Sequence, residues 1–149
     1  MTKVREAAHR LLCRREHSAY ELAEKLSQRG FEVGDIAEEI AHCQQHNLQS
    51  DSRFAESMLR VRVQQGYGPL KIVQELKAKQ VSSEIIEQIL SQEDDNWLTH
   101  ASAVWIKKYK DSLASNFEEL QKRQRFLLYR GFSAELIAKV VKNMQQNKN

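Results

Sequence analysis

The sequence has a single proline and only five glycines in 149 residues, too few chain-bending residues for an all-β sandwich. Its two cysteines, Cys13 and Cys43, form no CxxC pair, and in a reducing compartment both are most simply free thiols. No apolar run approaches the roughly 20 residues that cross a bilayer. The first ten residues, Met1 to Arg10, carry charge where a signal peptide needs an unbroken apolar stretch, so a cytoplasmic location without membrane attachment is expected. GxSxG, P-loop, GxGxxG and HExxH signatures are all missing. Ser and Asp residues fall instead at helix starts, where capping accounts for them. A non-enzymatic protein with no cofactor is therefore expected.

What remains is a helix-forming mixture. The chain is 41% hydrophobic and 29% charged, too apolar to be disordered. It is rich in Ala, Leu, Glu, Gln, Lys and Arg, which lose little side-chain freedom in a helix. The net charge of +3 is unevenly spread. Residues 1–50 carry seven Lys/Arg against eight Asp/Glu, and residues 51–95 carry six against eight. Residues 96–149 carry ten against four, a local excess of +6 that favours an anionic partner at that end.

A weak internal repeat organises the pattern. Leu26, Leu76 and Leu127 lie 50 and 51 residues apart. Five residues after each stands Phe31, Val81 or Phe132, and ten after each Ile36, Ile86 or Ile137. Fourteen after each stands Ile40, Leu90 or Val141. Capping-box spacing at Ser18–Glu21, Asp35–Glu38 and Ser115–Glu118 marks helix starts. Pro69 fits a first helical position, and Gly30 and Gly131 fit helix ends. Gln80 takes the equivalent place in the middle copy, where the turn is either different or slightly strained.

Together these marks predict helices near 3–16, 18–29, 35–46, 51–65, 69–79, 83–92, 96–110, 115–130 and 133–146. Leu59–Val63 alternates like a strand, but Phe54, Met58 and Val61 recur at helical spacing, and helix is preferred. The expected fold is all-α, with three tandem three-helix repeats at 1–50, 51–95 and 96–149. Each unit is marginal alone because it buries little apolar surface, stacking offsets that, and an elongated, curved array with a long groove is expected.

Three constellations invite a chemical reading. His9, Cys13 and His17 recur at four-residue spacing, as do His42 and His46. His9 and Cys13 project away from the Val4, Ala8, Leu11 stripe, and nothing brings the two clusters together, so no metal site is expected. Gln65–Leu76 is glycine-rich but lacks GK[ST] and a preceding strand, which makes it a tight turn with Tyr67 packed beneath it. The stretch Leu120–Gly131 is the most informative. On a helical wheel Leu120, Gln124, Leu127 and Leu128 face inward, while Lys122, Arg125, Phe126 and Tyr129 face elsewhere with Arg123 and Arg130 flanking. The candidate partner- or DNA-binding residues are Lys122, Arg123, Arg125, Tyr129 and Arg130, extended by Lys139 and Lys142. The competing role for Phe126 and Tyr129 is to seal a seam to the second repeat. Any nucleic-acid contact would be electrostatic, since no base-reading arrangement is visible.

Three stretches, Asp51-Ser-Arg-Phe-Ala-Glu56, Gly66-Tyr-Gly-Pro-Leu-Lys-Ile-Val-Gln-Glu-Leu76 and Gln124-Arg-Phe-Leu-Leu-Tyr-Arg-Gly-Phe132, in this order and spacing, resemble the RecX family. The resemblance runs from Val4 to about Met144, and the amino-terminal extension of some relatives is expected to be short or missing. It implies a regulator that binds the RecA–DNA filament along its groove, and the chain is expected to be a monomer. It also implies suppression of RecA ATP hydrolysis, strand exchange and coprotease activity, hence restraint of recombination and of the DNA-damage response. The family supplies no catalytic residues. Two other readings stay open: a stand-alone helical DNA-binding protein using the basic end on single- or double-stranded DNA, and a helical scaffold for another protein.

Overall fold

The computed structural model describes residues 1–110 and 112–146. Asp111 and Lys148, both counted in the basic excess, lie outside the described residues, as do Asn147 and Asn149. Among the described residues there are nine helices and no strand. They are α1 (Lys3–Arg14), α2 (Ala19–Gln28), α3 (Val33–Gln45), α4 (Asp51–Gln64), α5 (Pro69–Ala78), α6 (Ser83–Ser91), α7 (Trp97–Tyr109), α8 (Phe117–Tyr129) and α9 (Ala134–Gln146). None of them is long and apolar enough to cross a membrane. Leu59–Val63 is helical, inside α4, though Val61 is exposed rather than inward.

The leucines spaced about fifty apart are fully buried, and each closes a helix in the same way. The Leu26 carbonyl accepts the Phe31 N–H at 3.3 Å, Leu76 accepts Val81 at 3.1 Å, and Leu127 accepts Phe132 at 3.2 Å. The residue between has positive φ in all three copies: Gly30 at 91°, Gln80 at 58° and Gly131 at 99°. This is the glycine-type helix stop, and the middle copy makes the same turn with a residue that pays for it in strain. Ile36, Ile86 and Ile137 are buried as expected. Ile40, Leu90 and Val141 are only half-buried, and the position just before them is the buried one: Glu39, Ile89 and Val140.

The caps correct the sequence reading in two places. Ser18 accepts the Glu21 N–H as expected. Asp35 instead lies inside the first turn of α3, whose N-cap is Glu32 without a side-chain bond. The α8 cap is Asn116 rather than Ser115, because the Asn116 side chain accepts the Glu119 N–H while Glu119 reaches back to the Ser115 N–H.

The chain divides into two compact units, residues 1–58 with 76–89, and residues 59–75 with 90–149. In the first, α1, α2 and α3 pack mutually around Ala8, Leu11, Leu22, Leu26 and Cys43. Its helix junctions are tied by polar bonds. Asp51 accepts the Ala19 N–H at 2.9 Å, and Gln49 bridges Asp51 and the His17 carbonyl. Arg53 pairs with Glu16 and donates to the Asn47 carbonyl. Glu21 is held by both guanidinium nitrogens of Arg15 and by Lys79 at 3.5 Å. Burial alone would raise the Glu21 carboxyl, but the Arg15 hydrogen bonds and charge, with His17 and Lys79, outweigh it and hold it at about 2.

In the second unit the joint is made by bare backbone. Gly68 N–H donates to the Arg130 carbonyl at 2.7 Å and Leu70 N–H to the Gly131 carbonyl at 2.9 Å. A Cβ on Gly68 would lie 2.6 Å from the Gly131 backbone, and one on Gly131 would lie 2.6 Å from Lys71 Cβ. Glycine is required at both places by close approach of main chains.

Two predictions follow from these joints. Gly131→Ala should lower stability more than Gly30→Ala, measured by urea denaturation. Gly30 has nothing within 4 Å, so only the left-handed conformation opposes alanine, at about 1–2 kcal/mol. Gln80→Gly should stabilise by up to about 1 kcal/mol by relieving the same strain. Glu21 gives the second. Its folded pKa lies below the 4.5 of an ordinary Glu, so its stabilisation is complete above about 4.5 and is lost as pH falls toward about 2. Glu21→Gln should be less stable than the parent at neutral pH, with the gap closing across that window; a gap independent of pH would discount the ion pair.

Candidate functional site

The basic stretch forms α8, and its phase differs from the expected one. Leu127 and Arg123 are buried, whereas Leu128 is exposed. The reason is Arg123. Its guanidinium lies 4.4 Å from the Tyr109 ring centroid and 5.6 Å from that of Trp105. It donates to the Ser112 carbonyl at 2.8 Å, to Ser112 Oγ at 3.2 Å and to Glu119 at 2.7 Å. Two aromatic faces and a carboxylate compensate the charge for leaving water. Hydrogen bonds from Ser115, with Arg123 alongside, hold the Glu119 carboxyl at about 2. Arg123 therefore belongs to the interior of the third repeat. It was expected among the partner-binding residues because a sequence reading assigns an arginine to the surface by default.

The other expected residues divide by exposure. Lys122, Arg125 and Tyr129 are exposed along one face of α8, with Tyr129 at 78%. Lys139 and Lys142 are exposed on α9, and Lys139 lies 3.9 Å from Glu135. Arg130 is half-buried, donating to the Gln65 carbonyl at 2.8 Å, with its guanidinium 5.2 Å from the Tyr67 ring. Arg130 and Phe126, its ring 5.1 Å from the guanidinium, line a groove of about 410 Å³ together with Lys107, Lys108, Val104 and His100. Phe126 thus serves as wall to the groove and edge partner of Tyr109 at 6.0 Å, while Tyr129 seals nothing.

Lys107 and Lys108 escaped the sequence reading. Lys108 Nζ sits 3.6 Å from the Phe126 ring centroid, a cation–π contact at an exposed rim. The run Lys107-Lys108-Tyr109-Lys110 carried the signal, a basic cluster with an aromatic inside it. The groove and the α8 face offer positive charge beside flat apolar rings, a combination suited to phosphates with stacked bases or to acidic protein segments.

The histidines also depart from expectation. Cys13 is exposed, and both cysteines are free. His9 is not on an open surface: its Nε2 is buried, 3.8 Å from the carboxylate of buried Glu39. His42 approaches the same carboxylate, so the packing of α1 on α3 brings together two histidine groups that sequence spacing leaves apart.

Substitutions on α8 should separate the interior cation from the surface ones. Arg123→Met should destabilise by about 1–3 kcal/mol, since Ser112 and Glu119 lose their donor. Lys122→Glu and Arg125→Glu should each stay within about 0.5 kcal/mol of the parent. Thermal unfolding followed by circular dichroism reads both, and a neutral Arg123→Met would return that side chain to the surface.

Comparison with known proteins places these joints in a family. Residues 5–43, 50–90 and 94–141 match the first, second and third three-helix domains of RecX. The chain is similar to the regulatory protein RecX of Legionella pneumophila (strain Corby), 49% identical over 147 residues, covering 99% of this chain and 98% of that protein. It is 41% identical to RecX of Vibrio parahaemolyticus over 90% of this chain and 86% of that one. The crystal structure of RecX from Lactobacillus salivarius superposes with a TM-score of 0.82 at 23% identity, covering 97% of this chain and 96% of that one. An all-α fold of three tandem three-helix repeats, a match to every RecX domain in order and full-length similarity lead to one conclusion: the chain belongs to the RecX family of regulatory proteins.

Proposed function

We propose that this protein regulates the RecA recombinase by binding the RecA–DNA filament and restraining its ATP hydrolysis, strand exchange and coprotease activity. The observation that carries this reading is RecX family membership across all three domains. The reading assigns the chain a non-catalytic role in the cytoplasm as a monomer, with residues 1–50, 51–95 and 96–149 as its three repeats. Contacts distributed over several repeats, each modest, can add to useful avidity without a deep pocket.

The surface proposed to meet the filament comprises Lys122, Arg125 and Tyr129 on α8, Arg130, Lys107 and Lys108 around the groove, and Lys139 and Lys142 on α9. Arg123 supports that surface from within by fixing the rotation of α8. Exposed lysines and arginines beside aromatic rings favour either the DNA backbone or acidic RecA segments, and such contacts weaken with salt.

RecA ATPase on single-stranded DNA, titrated with this protein, tests the reading. The rate should fall to a plateau, and an unchanged rate at saturating protein would remove the proposal. Lys122→Glu combined with Arg125→Glu should raise the half-inhibitory concentration by about 3- to 10-fold with helical content preserved, a loss of roughly 0.7–1.4 kcal/mol. The basic third repeat also favours a second reading, direct DNA binding. It requires tight binding without RecA and a steep salt slope, and weak binding at moderate salt would reject it.

A further inference from the structure

We propose that His9, Glu39 and His42 form a site for a divalent first-row transition ion, best suited to Zn²⁺, which bridges α1 and α3 of the first repeat. One donor atom from each residue lies within 4.8 Å of the others. Two imidazoles and a carboxylate are a nitrogen–oxygen set that suits zinc rather than the all-oxygen shells of calcium or magnesium. Three protein ligands leave a fourth tetrahedral position for water.

Two observations point to a ligand rather than to packing. Glu39 occupies the position that the other repeats fill with Ile89 and Val140, and all three are buried. A carboxylate where an aliphatic side chain suffices twice over needs a reason beyond core filling. The second observation is His9 Nε2, which is buried, has no hydrogen-bond partner and sits 3.8 Å from Glu39 Oε1. A buried polar atom without a partner is unfavourable, and a bound cation at that spot would satisfy it.

The neighbouring groups fit the role. Arg5 donates to Glu39 Oε2 at 3.0 Å, leaving Oε1 for the ion and fixing the carboxylate's orientation, as outer hydrogen bonds do for ligating groups. Cys43 Sγ donates to Oε1 at 3.5 Å, a contact that a metal bond would displace. The His42 ring lies 4.4 Å from the His46 ring between centroids, and His46 is not among the three residues of the site. His9 and His42 are both half-buried, so small side-chain rotations can draw the donors to the roughly 2.0–2.2 Å that zinc requires.

The test uses the full chain freed of metal by chelation and titrated with Co²⁺, whose visible absorption reports tetrahedral coordination, followed by Zn²⁺ competition. One equivalent should bind, and Zn²⁺ should raise the unfolding temperature. His9→Ala and His42→Ala should each weaken binding at least about tenfold and abolish the thermal shift. Cys13→Ser and His46→Ala should leave affinity within about twofold. Both histidines are partly exposed, so these variants keep the test valid if Glu39→Gln fails to fold. Absence of binding would overturn the site. So would binding that survives His9→Ala but is lost in His46→Ala, which puts the ion on the His42–His46 pair of α3 alone. A thiolate charge-transfer band would assign it to cysteine instead.

Discussion

A buried leucine whose carbonyl is capped five residues later sets the architecture of every repeat. Leu26, Leu76 and Leu127 each end the second helix of their triplet and place a residue of positive φ four positions on. The turn reverses the chain tightly enough that the next apolar residue, Phe31, Val81 or Phe132, falls back beside the leucine that began it. Helix direction, the phase of the third helix and the burial of Ile36, Ile86 and Ile137 all follow from that closure. Gln80 shows that the hydrogen bonding, rather than glycine itself, is what the repeats share. The middle copy accepts an unfavourable backbone conformation to keep it.

Joining such triplets raises a different problem, because each buries too little surface on its own. The two compact units solve it with unlike chemistry. Around Asp51 and Arg53 the solution is polar: a carboxylate and a guanidinium satisfy backbone groups at helix ends that would otherwise be orphaned. Around Gly68 and Gly131 it is steric: side chains are removed so that a turn can hydrogen-bond directly to the end of α8. All three sequence stretches that resemble the RecX family contain residues of these joints. A joint needs a particular residue at a particular place, and that requirement is what makes a short motif legible.

The same logic explains what the sequence concealed. Helix number, repeat spacing and the buried leucines were legible because apolar periodicity reports them directly. Arg123 and Glu39 were not, since both are charged residues at interior positions and periodicity assigns charge to the outside. Glu119, four residues before Arg123, is a local partner, but its other partners lie farther off in the sequence. Arg5 lies 34 residues from Glu39, and the Ser112 carbonyl lies in a connection before α8 that has no helical signal. On α8 Arg123 and Leu127 are buried and Leu128 is exposed, so the inward face differs from the one that the spacing of Leu120, Gln124, Leu127 and Leu128 predicts. His9 was misjudged similarly, because its neighbour across the helix interface is Glu39 rather than solvent.

Internal bonding changes what the charge asymmetry means. Residues 96–149 hold ten Lys/Arg, but Arg123 is buried against Tyr109, Ser112 and Glu119, and half-buried Arg130 gives one donor to the Gln65 carbonyl. Among the described residues, the positive charge offered outward is carried mainly by Lys107, Lys108, Lys110, Lys122, Arg125, Lys139 and Lys142, all exposed. Six of these seven are lysines, point charges on flexible stems that suit a diffuse anionic surface better than bidentate recognition. A surface of that kind tolerates exchange of one cation for another nearby. The joints therefore hold residues of all three stretches that resemble the family, whereas the exposed cations register in the sequence only as a bias in charge.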